Sequence, residues 1–81
     1  MKLQIITTQK TTDYDIEWIE LNTPAGNMVI QRGHAPMLVE LSSGYELLYQ
    51  TKDGASMSLM IVQGVAHVSR TDVKILLPMD L

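Results

Sequence analysis

Apolar and polar residues alternate through most of the chain, and no window carries the three-and-four spacing of an amphipathic helix. "LQIIT" (3–7) is short and β-branched. "YDIEWIEL" (14–21) sets Tyr14, Ile16 and Trp18 on one face and Asp15 and Glu17 on the other. The alternation slips near the end of that run, where Ile19 and Leu21 fall on the acidic face. Either both faces are covered there or a bulge intervenes. "NMVI" (27–30), "MLVEL" (37–41), "YELLYQT" (45–51), "SMSLMIV" (56–62), "VAHVS" (65–69) and "VKILLP" (73–78) continue the series.

Turn chemistry separates these runs. "TPAG" (23–26) places proline at the second position of a β-turn and glycine at the fourth, "SSG" (42–44) marks another, and the Asp-Gly pair of "KDGA" is a strong hairpin signal. "RTD" makes a further tight connection. About eight short strands with turns roughly every 8–12 residues predict an all-β fold. The expected architecture is an antiparallel two-sheet β-sandwich of about eight to ten short strands, in one domain spanning residues 1–81. A small closed barrel has the same periodicity.

Composition narrows the function classes. At 81 residues the chain is near the lower limit for burying its own core, so a partner surface is an expected source of stability. With no Phe and one Trp, that core must be built from Ile, Leu, Val and Met. Met57 and Met60 fall on opposite faces of their strand; core filling is the favoured role, and exposure of one as an adaptable contact is the alternative. The absence of cysteine removes any disulfide framework and leans toward a reducing compartment. A net charge of −3, with six scattered Lys and Arg, argues against nucleic-acid binding. No apolar run approaches the ~18 residues of a membrane span.

Candidate chemistry is sparse. The corner "GHAPML" (33–38) joins a histidine to a glycine and a proline, and a loop histidine invites a role as base or ligand. No serine, cysteine or acid adjoins His34 in a nucleophile arrangement, and His67 reads as an ordinary strand residue. Further ligands at zinc spacing are missing, so no metal is expected. "DYDIE" begins like a calcium loop, but Trp18 occupies the required glycine position and Pro24 the bidentate glutamate position. Neither phosphate-binding glycine motif occurs. The residues by themselves describe a small non-catalytic β domain that binds a partner.

"AGNMVIQRGHAPMLVEL" resembles the N-terminal domain of the epsilon subunit of F-type ATP synthases. That family reads Gly-x-x-Gly-Ile-x-Pro-Gly-His-Ala-Pro-Leu-Leu, and here Gly26, Ile30, Gly33, His34, Ala35, Pro36, Leu38, Leu41 and Gly44 fall in step. "LQIIT", "IEWIELNTPAG" and "IVQGVAHVSRTDVKIL" extend the likeness over essentially the whole chain. Val29 stands for the usual second glycine, Arg32 for the usual proline, Val65 for the second of a Gly-Gly pair, and Asn27 for a common glutamate.

The resemblance implies a central-stalk subunit that links the gamma subunit to the membrane c-ring and couples ion translocation to ATP synthesis without catalysing a reaction. It would need no cofactor, bind no nucleotide directly, and sit peripherally on the cytoplasmic face of a bacterial inner membrane. It implies gamma contacts at Thr7, His34 and Val39 and c-ring contacts at Asn27 and Met28. Gly33, Ala35 and Pro36 would shape the corner, glycine by a positive φ or a close approach and proline by restricting Ala35. The family continues into a two-helix hairpin, so a chain ending at Leu81 reads as a short form without the inhibitory arm. The alternative is a divergent standalone β-sandwich interaction module.

Overall fold

The computed structural model describes residues 1–78, leaving Leu81, on which the short-form expectation turns, outside the described residues. Eight strands follow one another: β1 (Lys2–Ile6), β2 (Thr11–Thr23), β3 (Gly26–Ile30), β4 (Met37–Glu40), β5 (Tyr45–Thr51), β6 (Ser56–Ile61), β7 (Val65–Val68) and β8 (Asp72–Leu76). The alternation of the sequence placed every one of them.

β2 belongs to both sheets. Its first half pairs with β1 in a sheet ordered β4-β7-β8-β1-β2, and its second half pairs with β3 and β5 in a sheet ordered β3-β2-β5-β6. The joint is a bulge: Ile16 lies opposite Thr51 but Trp18 lies opposite Gln50, leaving Glu17 as the extra residue. Before it the inward positions are even, ending at Ile16; after it they are odd, at Ile19, Leu21 and Thr23. The slip in the sequence pattern is therefore the bulge itself, and it corrects the expected face of Trp18. That side chain is carried away from the core, and its indole N–H donates to Gln50 Oε1 at 2.7 Å.

Strand pairing is antiparallel except between β1 and β8, which run parallel with Leu3 opposite Val73 and Ile5 opposite Ile75. This corrects a wholly antiparallel sandwich. Parallel neighbours cannot share a tight hairpin, and these two strands come from opposite ends of the described chain.

Rows of inward residues cross each sheet. Leu3, Val73, Val68 and Met37 form one, and Ile5, Ile75, Ala66 and Val39 the next. In the second sheet Ile30, Ile19, Tyr49 and Met57 align. Leu3, Ile16, Ile19, Leu21, Ile30 and Ile75 are wholly buried between the sheets. Met1 is part of the buried core and Met28 and Met37 pack on it from its margin, whereas Met57 and Met60, favoured as core residues, are 40% and 53% exposed. β6 is a border strand, so the inward end of its row is uncovered at Met57, and Met60 points outward.

Candidate functional site

The corner predicted at 33–38 is a β-turn followed by an extended run into β4. The His34 N–H donates to the Gln31 carbonyl at 3.1 Å, and Gly33, third in that turn, has φ of +88°. A positive φ at the third position, after an Arg32 whose φ is not positive, is the pattern of a type II turn and favours glycine. Nothing lies within 4 Å of where a Gly33 Cβ would sit, so backbone conformation and not close approach sets the requirement. The Gly33 N–H donates at 2.7 Å to the Arg70 carbonyl, tying the corner to the β7–β8 turn. Pro36 then disfavours a helical Ala35 and stiffens the entry to β4.

His34 is half-buried and its Nδ1 lies 2.8 Å from the Ala35 carbonyl. A carbonyl only accepts, so this nitrogen donates and the ring is fixed on its own loop. Among the described residues no group of three or more His, Cys, Asp or Glu is placed to hold a metal ion. Here His34 is a shaped surface element with its second ring nitrogen available to a neighbour.

The other resemblance-implied residues lie apart from one another. Val39 faces inward on the border strand β4, opposite Ala66. Thr7 lies beyond the end of β1 and not on it; its hydroxyl organises the β1–β2 turn, donating to the Lys10 carbonyl and accepting from the Gln9 and Lys10 N–H groups. Through the ladder, Thr7 is near the Glu40–Val65 end of the first sheet, whereas His34 is at its Met37–Val68 end. Residues expected to meet one partner are thus strung along the sheet.

Asn27 and Met28, adjacent on β3, face opposite ways. Met28 is half-buried on the core, and Asn27 is exposed. Its Nδ2 donates to Asn22 Oδ1 at 3.1 Å, and Asn22 Nδ2 in turn donates to the Glu46 carbonyl at 3.3 Å. The neighbouring turn is closed by buried Thr23, whose hydroxyl donates to the Gly26 carbonyl and accepts from the Ala25 N–H.

The first sheet also carries an apolar outer patch. The outer face of the first sheet carries the row Ile6, Leu76, Val65 and Glu40, with Leu38 nearby on β4 at 68% exposure. A groove of about 510 Å³ opens there, lined among others by Thr7 and Gly64. The available signal was that "MLVEL" and "VKILLP" are apolar on both faces.

Comparison with known proteins bears on the family and the fold. The family model "ATP synthase, Delta/Epsilon chain, beta-sandwich domain" matches residues 1–78, all that the structure describes. The chain belongs to that family. Among delta/epsilon chains it is 35% identical over 77 residues to the ATP synthase epsilon chain of Prochloron didemni, covering 94% of this chain and 55% of that one. It therefore spans about half the length of the curated relative it matches. Its fold is similar to a chain in the mitochondrial ATP synthase of Euglena gracilis, solved as OSCP/F1/c-ring, with a TM-score of 0.82 at 23% identity. That match covers 91% of this chain and 48% of the other. A chain in the central stalk/c-ring structure of the Tetrahymena thermophila mitochondrial ATP synthase gives a TM-score of 0.80 at 21% identity, over 99% and 63% of the two chains. At these identities the two structures speak for the delta/epsilon sandwich as a fold. Among the described residues no helix is long and apolar enough to cross a membrane.

Proposed function

We propose that this domain is a non-catalytic part of the central stalk of a rotary ATP synthase, where it joins the gamma subunit to the c-ring and so couples ion translocation to ATP synthesis. The observation that carries the proposal is the family match over residues 1–78, supported by the fold shared with chains of stalk and ring assemblies. The physical demands of the role suit the molecule. A rotor component must transmit torque without deforming, and two sheets sharing one long strand make a stiff block whose shape is fixed by packing.

The contact with gamma runs along the first sheet. His34 meets it at the corner, Val39 meets it at the open border of β4, where its inward side chain is only half-buried, and Thr7 meets it at the far end, beside the exposed Val65 and Leu76. The ring loops meet the β2–β3 turn at Asn27, with Met28 holding that turn on the core. Asn27 offers a hydrogen-bonding carboxamide in place of a charge; an exposed ion pair is worth only about 0–1 kcal/mol, so its absence costs little affinity. The domain rests on the cytoplasmic face of a bacterial inner membrane through these partners and binds no nucleotide itself.

The cysteine-free sequence makes the contacts directly testable. In the assembled synthase, His34→Cys and Val39→Cys carrying a photo-cross-linker should attach to gamma, and Asn27→Cys to the ring subunit. Cross-links from His34 and Val39 that reach neither subunit would refute the assignment.

A further inference from the structure

β6 borders the second sheet, and among the described strands it pairs with β5 alone. Border strands in native proteins usually carry a charge, a proline or a bulge that deters further pairing. Ser56–Ile61 has no charged residue, no proline, no glycine and no shift of register against β5. No Asp, Glu, Lys or Arg lies between Asp53 and Arg70. The phase of its hydrogen bonds is set at the hairpin, where the Thr51 N–H donates to the Ala55 carbonyl at 2.8 Å. Antiparallel bonding alternates, so Met57, Leu59 and Ile61 bond toward β5 while Ser56, Ser58 and Met60 direct N–H and C=O to the open side. All three of these residues are exposed.

We propose that β6 pairs with β6 of a second copy of this chain, antiparallel, about a two-fold axis at Ser58. The choice of a second copy rests on how the strand reads against its own reverse. With Ser58 on the axis, Ser56 lies opposite the other copy's Met60 and Ser58 opposite its Ser58. Each residue that bonds outward thus meets one that also bonds outward, and each such pair exchanges both backbone bonds. On the inner face Met57 meets the second copy's Leu59, extending the row of Ile30, Ile19 and Tyr49 across the junction and covering the exposed thioether. On the outer face the two Ser58 hydroxyls face one another. Although the chain carries a net −3, no like charges are opposed along the strand. Moving the axis to Leu59 breaks the match, because Ser56 would then face Val62, beyond the end of β6. The pairing does not rest on the stalk proposal: Asn27 is on the opposite border of the second sheet, and His34 and Val39 belong to the first.

Because the chain has no cysteine, register can be read by disulfide formation. Hydrogen-bonded antiparallel partners have Cα atoms about 5.5 Å apart, within reach of a disulfide. The full chain should sediment as a concentration-dependent dimer. Under mild oxidation Ser58→Cys should give a covalent dimer rapidly, Ser56→Cys should do so much more slowly, and the double variant Ser56→Cys with Met60→Cys should recover the fast reaction. Ser58→Lys, at an exposed position, should keep the native melting curve at concentrations low enough for the chain to be monomeric, and should weaken the dimer severalfold through opposed ammonium groups. A chain that stays monomeric at every concentration, or equal cross-linking of Ser56→Cys and Ser58→Cys, would overturn the proposal.

Discussion

Two glycines show how differently one residue type can be required. Gly33 needs its φ of +88° and has open space around it. Gly33→Ala should therefore cost about 1–2 kcal/mol through backbone strain alone, and Gly33→Asn less, because asparagine tolerates the left-handed region. Gly64 is the reverse case: a Cβ there would sit 2.7 Å from Leu77 Cδ2, 3.1 Å from the Leu76 carbonyl oxygen and 3.4 Å from Leu41 Cδ1. Gly64→Ala should cost about 1–3 kcal/mol by overpacking, and pairing it with Leu77→Val should cost less than the sum of the two changes. Urea unfolding measures both. Additive costs at Gly64 and Leu77, or equal loss for Ala and Asn at Gly33, would contradict these assignments. That Gly33 has a backbone role was legible, as a positive φ or a close approach, and only the structure selects the first; the close approach at Gly64 depends on Leu41 and Leu77, distant in sequence, and was not legible.

At the scale of elements, β2 and β5 are clasped by aromatic residues on either side of the bulge. The Tyr14 and Tyr49 rings are 5.2 Å apart and tilted by 49°, and Tyr49 is almost wholly buried. Burial first, and the Tyr14 hydroxyl second, hold the Tyr49 proton well above the ordinary tyrosine range. The folded chain then keeps a proton that the unfolded chain releases above pH ~10, so stability is full below that pH and declines as pH rises past it. Tyr49→Phe should flatten the decline in an alkaline melting series; an unchanged slope would mean that another group causes it. The strands themselves were readable because alternation reports directly on one buried face. The parallel pairing of β1 with β8 was not, since strand order depends on contacts between chain ends that no local pattern records. Trp18 was misplaced for a related reason: the slip at Ile19 announced a bulge or a doubly covered face, and only the register against Thr51 and Gln50 decides which.

For the whole molecule, the sandwich offers three separate surfaces: the first sheet with its corner and groove, the β2–β3 turn with its linked asparagines, and the β6 border. The family was legible because the Gly-His-Ala-Pro corner is local in sequence. How its implied contacts are distributed was not, because Thr7 and His34 are set at opposite ends of a sheet assembled from five strands that are scattered along the chain. Chains that share this sandwich occur in stalk and ring assemblies, and the proposed role of this domain is to join gamma to the ring in the same way. Purification of the tagged chain from membranes of its own host tests that most directly. The gamma subunit and c-ring should co-purify with it in constant ratio and should be lost together in a Gly33→Val variant that still folds. Recovery of the chain without gamma from membranes that contain intact synthase would contradict the claim.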